Sequence, residues 1–185
     1  MVPSPSIVGV LVLAAVCWIG YRAVGASLVP GDGDPHPAGV GCVTWKGPLM
    51  VIDGPVLSNR TGHTVHVSDV DVPDAEGIRL HEIRTVSTSS DVVFGAAYDP
   101  ADPGWAGTER VGPEGITIAP DVVSRLAYIV EADTAGGSYP YSLVEYRIGP
   151  LTYRATYPGA NAVMPRGGPS CTPAVADRLQ DARIP

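Results

Sequence analysis

Apolar and polar positions alternate most cleanly between Val144 and Ala155. Val144, Tyr146 and Ile148 share one parity, and beyond Gly149-Pro150 so do Leu151, Tyr153 and Ala155. Glu145, Arg147, Thr152 and Arg154 take the other parity. A period of two is that of a strand with one buried face. A two-residue turn at Gly149-Pro150, with Gly149 at positive φ in a II′ geometry, joins the two runs as a hairpin. It pairs Ile148 with Leu151, Arg147 with Thr152, Tyr146 with Tyr153 and Glu145 with Arg154. A slip of one residue would turn the tyrosines away from the core.

Other runs change phase. Val65 and Val67 have one parity, Val70 and Val72 the other, so a bulge near Ser68-Asp69 is needed to put all four on one face. A similar slip falls between Leu80 and Ile83 in the run from Ile78 to Val86. Val92 to Tyr98, Ile116 to Ile118 and Val122 to Glu131 supply further strands, and Leu49 to Leu57 an early one broken at Gly54-Pro55. With the hairpin this makes about seven or eight strands, the size of an immunoglobulin-like antiparallel β-sandwich. Thr172 as N-cap and Pro173 at the first helical position predict a short helix from Pro173 to Arg183.

The N-terminus follows a different pattern. Ile7 to Tyr21 carries no charge over fifteen residues. Extended through Arg22 to Val29 it is long enough to span a bilayer, with Trp18 and Tyr21 as interface anchors. The rival is a signal peptide cleaved after Val24-Gly25-Ala26. No Lys or Arg precedes the run, so its orientation follows from the domain behind it. Cys17 is read as a small apolar residue of this segment, because Val16 occupies the position where a lipobox needs a smaller residue. Pro30 to Pro37, PGDGDPHP, is a solvated spacer; Asp32 and Asp34 lack the further acidic positions of a calcium loop. The expected organisation is thus 1–29 transmembrane or signal segment, 30–41 linker, 42–171 β-sandwich, and 172–185 helix and tail.

Composition narrows the function. The formal net charge is −7 and the only lysine is Lys46, which argues against nucleic acid and against a basic membrane patch. The 22 glycines and 19 prolines fall singly or in pairs between apolar runs, as in strands joined by turns. Arg in place of Lys at all but one basic position, with abundant Ala, Gly, Val and Pro, suggests a GC-rich bacterial source.

The segment from Gly54 to Val70, an apolar strand running into Asn59-Arg60-Thr61-Gly62 and out into a Val-rich strand, resembles the opening hairpin of bacterial extracytoplasmic Ig-like modules. With the N-terminal segment, the chain resembles membrane-anchored actinobacterial proteins of unassigned activity. The resemblance covers about 20 residues and implies a fold and a location, not an activity.

Few residues suggest chemistry. Cys42 and Cys171 flank the β region, and in an oxidising compartment that spacing suggests a bridge; the alternative is two unrelated thiols. His63, His66 and His81 on neighbouring strands could hold copper or zinc, but residues three apart on a strand point to opposite faces. The loop Asp99-Pro100-Ala101-Asp102-Pro103-Gly104-Trp105 pairs two carboxylates with a Trp, a possible partner-binding surface or sugar site. Ordinary turn chemistry, with Trp105 folded over the core edge, is the plainer alternative. Nucleophile elbow, zincin and phosphate-loop motifs are absent from the sequence. The expectation is a non-catalytic envelope module without cofactor, reaching the membrane through its N-terminal helix and an unidentified envelope protein through its loops. A metal-binding protein and an unrecognised hydrolase are the alternatives.

Overall fold

The hairpin forms in the register the alternation dictates. A computed structural model describes residues 28–30, 41–87, 90–169, 171–172 and 174. In it Ile148 pairs with Leu151 and Tyr146 with Tyr153, and the pairing runs on to Val163 against Gly137. Gly149 has φ 56°, as the first central residue of a II′ turn requires. Val144, Tyr146, Ile148 and Tyr153 are buried, but Leu151, of the same parity, is 43% exposed. Pairing reaches the hairpin tip; cover does not.

The strands are β1 (Leu28–Pro30), β2 (Gly41–Thr44), β3 (Leu49–Asn59), β4 (Val65–Asp71), β5 (Ile78–Val86), β6 (Glu109–Arg110), β7 (Ile116–Ile118), β8 (Val123–Ala132), β9 (Gly137–Ile148) and β10 (Leu151–Met164). They form two five-stranded sheets, ordered β1-β3-β8-β5-β6 and β2-β10-β9-β4-β7. The block β1-β3-β8-β5 has the chain order of A-B-E-D in an immunoglobulin domain, and β10-β9-β4 that of G-F-C. The fold is therefore an Ig-like β-sandwich. One pair departs from the antiparallel expectation: β2 runs parallel to β10. Consecutive strands β1 and β2 lie on edges of different sheets, so the chain changes sheets without reversing. Pro30 in β1 is tolerated because an edge strand has one unpaired side. This strand occupies residues that the hydropathy pattern assigns to the end of the apolar segment and the start of the spacer.

Both expected bulges are present, between Val67 and Asp69 in β4 and between Leu80 and Glu82 in β5. The first puts Val65, Val67, Val70 and Val72 together in the main core. Two expectations need correction. Strand β3 does not break at Gly54-Pro55; a register shift between Asp53 and Val56 absorbs the pair, since Pro is accepted at bulges. Gly54 fits there because a Cβ would stand 2.8 Å from the Tyr128 ring and 3.0 Å from the Leu126 carbonyl oxygen. And Val92 to Tyr98 is not a strand but a turn, touching β3 through the bridge between Met50 and Ala97.

The reason lies in β8, where Leu126, Ala127, Tyr128, Ile129 and Val130 are all buried in succession. An unbroken apolar run marks a strand covered on both faces. Leu126, Tyr128 and Val130 enter the core between the sheets, with Met50 and Ile52 of β3. Ala127 and Ile129 face outward with Val51 and Val86, and are covered by Trp105, Phe94 and Tyr98 from the connection after β5. Fully burying a Val or Ile side chain contributes about 1.5–3 kcal/mol. The apolar residues of this connection thus form a third, partial layer rather than a sixth strand.

Cys42 of β2 and Cys171, after β10, form a disulfide with Cα atoms 5.6 Å apart and a sequence separation of 129. The N-terminal apolar segment and the C-terminal helix fall outside the described residues, apart from Ala174, which is helical. Among the described residues no helix is long and apolar enough to cross a membrane.

Candidate functional site

The Asp99–Trp105 loop folds back on itself and onto the first sheet. Asp99 Oδ1 accepts the Ala101 N–H at 2.9 Å, and Asp102 Oδ1 accepts the Gly104 N–H at 2.7 Å, capping a 3-10 turn over Pro103–Trp105. These are the turn roles that Asp commonly fills. The Trp105 indole N–H donates to the Asp99 carbonyl oxygen at 3.0 Å. Its ring meets Tyr98 edge to face with centroids 5.5 Å apart, and only 9% of the residue is exposed. Of the three candidate loop residues, Asp99 and Asp102 are therefore on the surface, while the indole is spent on packing.

Arg84 of β5 holds the connection down. Its guanidinium lies 5.2 Å from the Trp105 ring centroid and donates to Glu82 (2.6 Å), Thr108 Oγ1 (3.2 Å) and the Tyr98 hydroxyl (3.4 Å). Arg110 adds a longer contact to Glu82 at 3.8 Å. A second arginine works beside it. Arg125 of β8 donates to both carboxylate oxygens of Asp53, at 2.8 and 2.5 Å, and stacks 4.2 Å from the Phe94 ring centroid. The hydrogen bond to Asp53 raises the Arg125 pKa further above its ordinary value. Cation–π contacts of this kind contribute about 0.5–1 kcal/mol when exposed and more when dry. The sequence carried no signal for either arginine, because neither belongs to a motif.

Beneath the connection lies a hollow of about 20 Å³, room for roughly one water. Val51, Val92, Val93, Asp99 and Asp102 are among its walls. Val93 is 63% exposed. This apolar spot beside two surface carboxylates is what remains of the loop as a recognition surface.

The histidines are dispersed. His63 is exposed in the β3–β4 turn, His66 points outward from β4 with Nδ1 3.5 Å from Thr117 Oγ1, and His81 is exposed in the β5 bulge of the other sheet. Among the described residues no three His, Cys, Asp or Glu side chains are grouped to hold a metal ion.

The Asn59-Arg60-Thr61-Gly62 turn is built around a buried side chain. Asn59 is 0% exposed. Its Nδ2 donates to the carbonyls of His63, Ile118 and Ala119 at 2.8–3.0 Å, and its Oδ1 accepts from the N–H and hydroxyl of Thr61. One amide thereby joins β3, the turn into β4 and the crossover after β7. Across the core, Tyr139 and Asn161 both donate to the Asp53 carbonyl oxygen at 3.2 Å, and Asn161 also donates to the Tyr139 hydroxyl at 2.8 Å. Burial pushes the hydroxyl pKa values of Tyr128, Tyr139 and Tyr157 well up.

No family model matches the chain, and no curated protein does. Among solved structures it is similar to the crystal structure of the CsuC–CsuE chaperone–tip adhesion subunit pre-assembly complex from archaic chaperone-usher Csu pili of Acinetobacter baumannii. The likeness covers 77% of this chain and 56% of that one, at 12% identity and a TM-score of 0.34.

Proposed function

We propose that this chain is a non-catalytic extracytoplasmic module, held at the membrane by its N-terminal apolar segment, that binds another envelope protein. The disulfide between Cys42 and Cys171 carries this reading, because such bridges persist in oxidising compartments and are rare in the cytosol. The remaining cysteine, Cys17, lies in the apolar segment. The resemblance to membrane-anchored actinobacterial proteins belongs to the same reading.

The chemistry-bearing groups support binding over catalysis. Asp99 and Asp102 each commit an oxygen to their own turn, Arg84 and Arg125 are engaged by carboxylates and rings, and His81 lies on the other sheet from His66. Catalysis needs a base within hydrogen-bond reach of its nucleophile in a pocket. The surface around Val93, Asp99 and Asp102 is then the place for a partner, since loops on a rigid sandwich are its usual contact surface.

Two measurements test this. A reporter that fluoresces only in the cytoplasm, fused after Pro185, should stay dark; bright cells overturn the location. A photo-crosslinker replacing Val93 in membranes of the native host should capture one partner, weakened by D99N/D102N. No adduct at Val93 removes the loop from the proposal.

A further inference from the structure

Among the described residues four large apolar side chains are exposed: Val93, Val122, Val123 and Leu151. Val93 belongs to the layer outside the first sheet. The other three lie at one end of the sandwich, and strand register shows it. Leu28 pairs with Asn59, whose N–H donates to the Val122 carbonyl oxygen, while Val123 pairs with Ser58. In the second sheet Val65 pairs with Ile118 and His66 with Arg147, beside the Gly149-Pro150 tip that carries Leu151. The β3–β4 turn, the β7–β8 crossover and the β9–β10 tip therefore share this end.

The chain enters the fold here, at Leu28. The uncharged run ends at Tyr21 and the span extends past it, so no more than six residues, Arg22 to Ser27, lie between the bilayer and that strand. Fully extended they reach roughly 20 Å. The opposite end stands about 40 Å away along the twelve residues of β9.

We infer that this near end rests on the bilayer surface, with Val122, Val123 and Leu151 in contact with lipid. The inference rests on the membrane anchoring proposed above. The short tether brings the patch to the interface, and exposed apolar side chains at that depth leave water for the acyl boundary. Lipid is preferred to a protein occupant because the length of chain before Leu28 holds this end, and no other, near the membrane.

Hydrogen exchange on the full chain in lipid nanodiscs tests it. Amides at 60–64, 119, 121, 148 and 149 should exchange severalfold more slowly than in the V122S/V123S/L151S variant, whose melting temperature should match the parent. The turns at 133–136 and 165–168 should not differ between the two. Equal exchange at the near end, in protein that stays with the nanodisc, overturns the contact and leaves the anchor standing. Protection at the far-end turns overturns the orientation. Protein that does not partition into nanodiscs overturns the anchor, and this inference with it.

Discussion

The indole N–H of Trp105 donates to the carbonyl oxygen of Asp99, 3.0 Å away, so the residue that looks most available for a partner is the one that closes its own loop. Its ring then covers Ala127 and Ile129 on the outer face of β8. Trp105→Ala should lower unfolding stability by about 3 kcal/mol, in the range for large aromatic truncations. Trp105→Phe keeps most of the packing, loses the hydrogen bond and should cost about 1 kcal/mol more than a surface change. Urea unfolding reads both. A Trp105→Ala effect below about 0.5 kcal/mol, typical of a surface site, would refute the third layer.

The Cys42–Cys171 bridge closes a 129-residue separation, for which the chain-entropy account gives about 4–5 kcal/mol. The C42S/C171S variant should melt far below the parent, whereas C17S, outside the domain, should not move the transition. Calorimetry of the three proteins under non-reducing conditions makes the comparison.

Buried tyrosines predict weakness to alkali. Tyr128, Tyr139 and Tyr157 have folded pKa values raised chiefly by desolvation. An unfolded tyrosine ionises near 10. Since the folded pKa is higher, the unfolded state loses protons first. The stabilisation is complete below about pH 10 and falls by about 1.4 kcal/mol per pH unit per buried tyrosine above it. Urea midpoints should be flat from pH 7 to 9 and fall steeply by pH 11. Phenolate absorbance of these residues should appear together with unfolding, not before it.

Asn59 offers a test of the same sign in the acid range. Asn59→Asp would set a carboxylate where Nδ2 now donates to three carbonyls. Burial and facing acceptors would raise its folded pKa above the unfolded value near 3.9. The variant should be several kcal/mol less stable than the parent at pH 7, and the gap should narrow as pH falls toward 4. A gap that does not change with pH would mean that the buried amide is replaceable by any polar group of its size.

Short-range structure was the readable part of this sequence. The hairpin is fixed by alternation on both sides of a two-residue turn, and the β4 and β5 bulges by valines and isoleucines that change parity. The Cys42–Cys171 bridge agrees with the expectation from two cysteines flanking the β region, which had left two unrelated thiols as the alternative. Gly54-Pro55 misled because a strand-breaking pair is also what a bulge accepts. Val92 to Tyr98 misled because an apolar run made to cover a strand resembles one made to be a strand. The five consecutive buried residues of β8 were the available clue that some segment must lie over the outer face. The roles of Arg84 and Arg125 could not be read, since their partners Trp105 and Phe94 come from distant parts of the chain and no local spacing joins them.

The bridge between Cys42 and Cys171 also makes most of the sandwich a covalent ring. A protease that cuts once anywhere between the two cysteines opens the ring without releasing a piece. The connection carrying Asp99 and Asp102 is one exposed place for such a cut. A molecule nicked there would run as one band until thiol was added, and would keep both sheets attached to whatever precedes Leu28. One scission would therefore leave the domain in place.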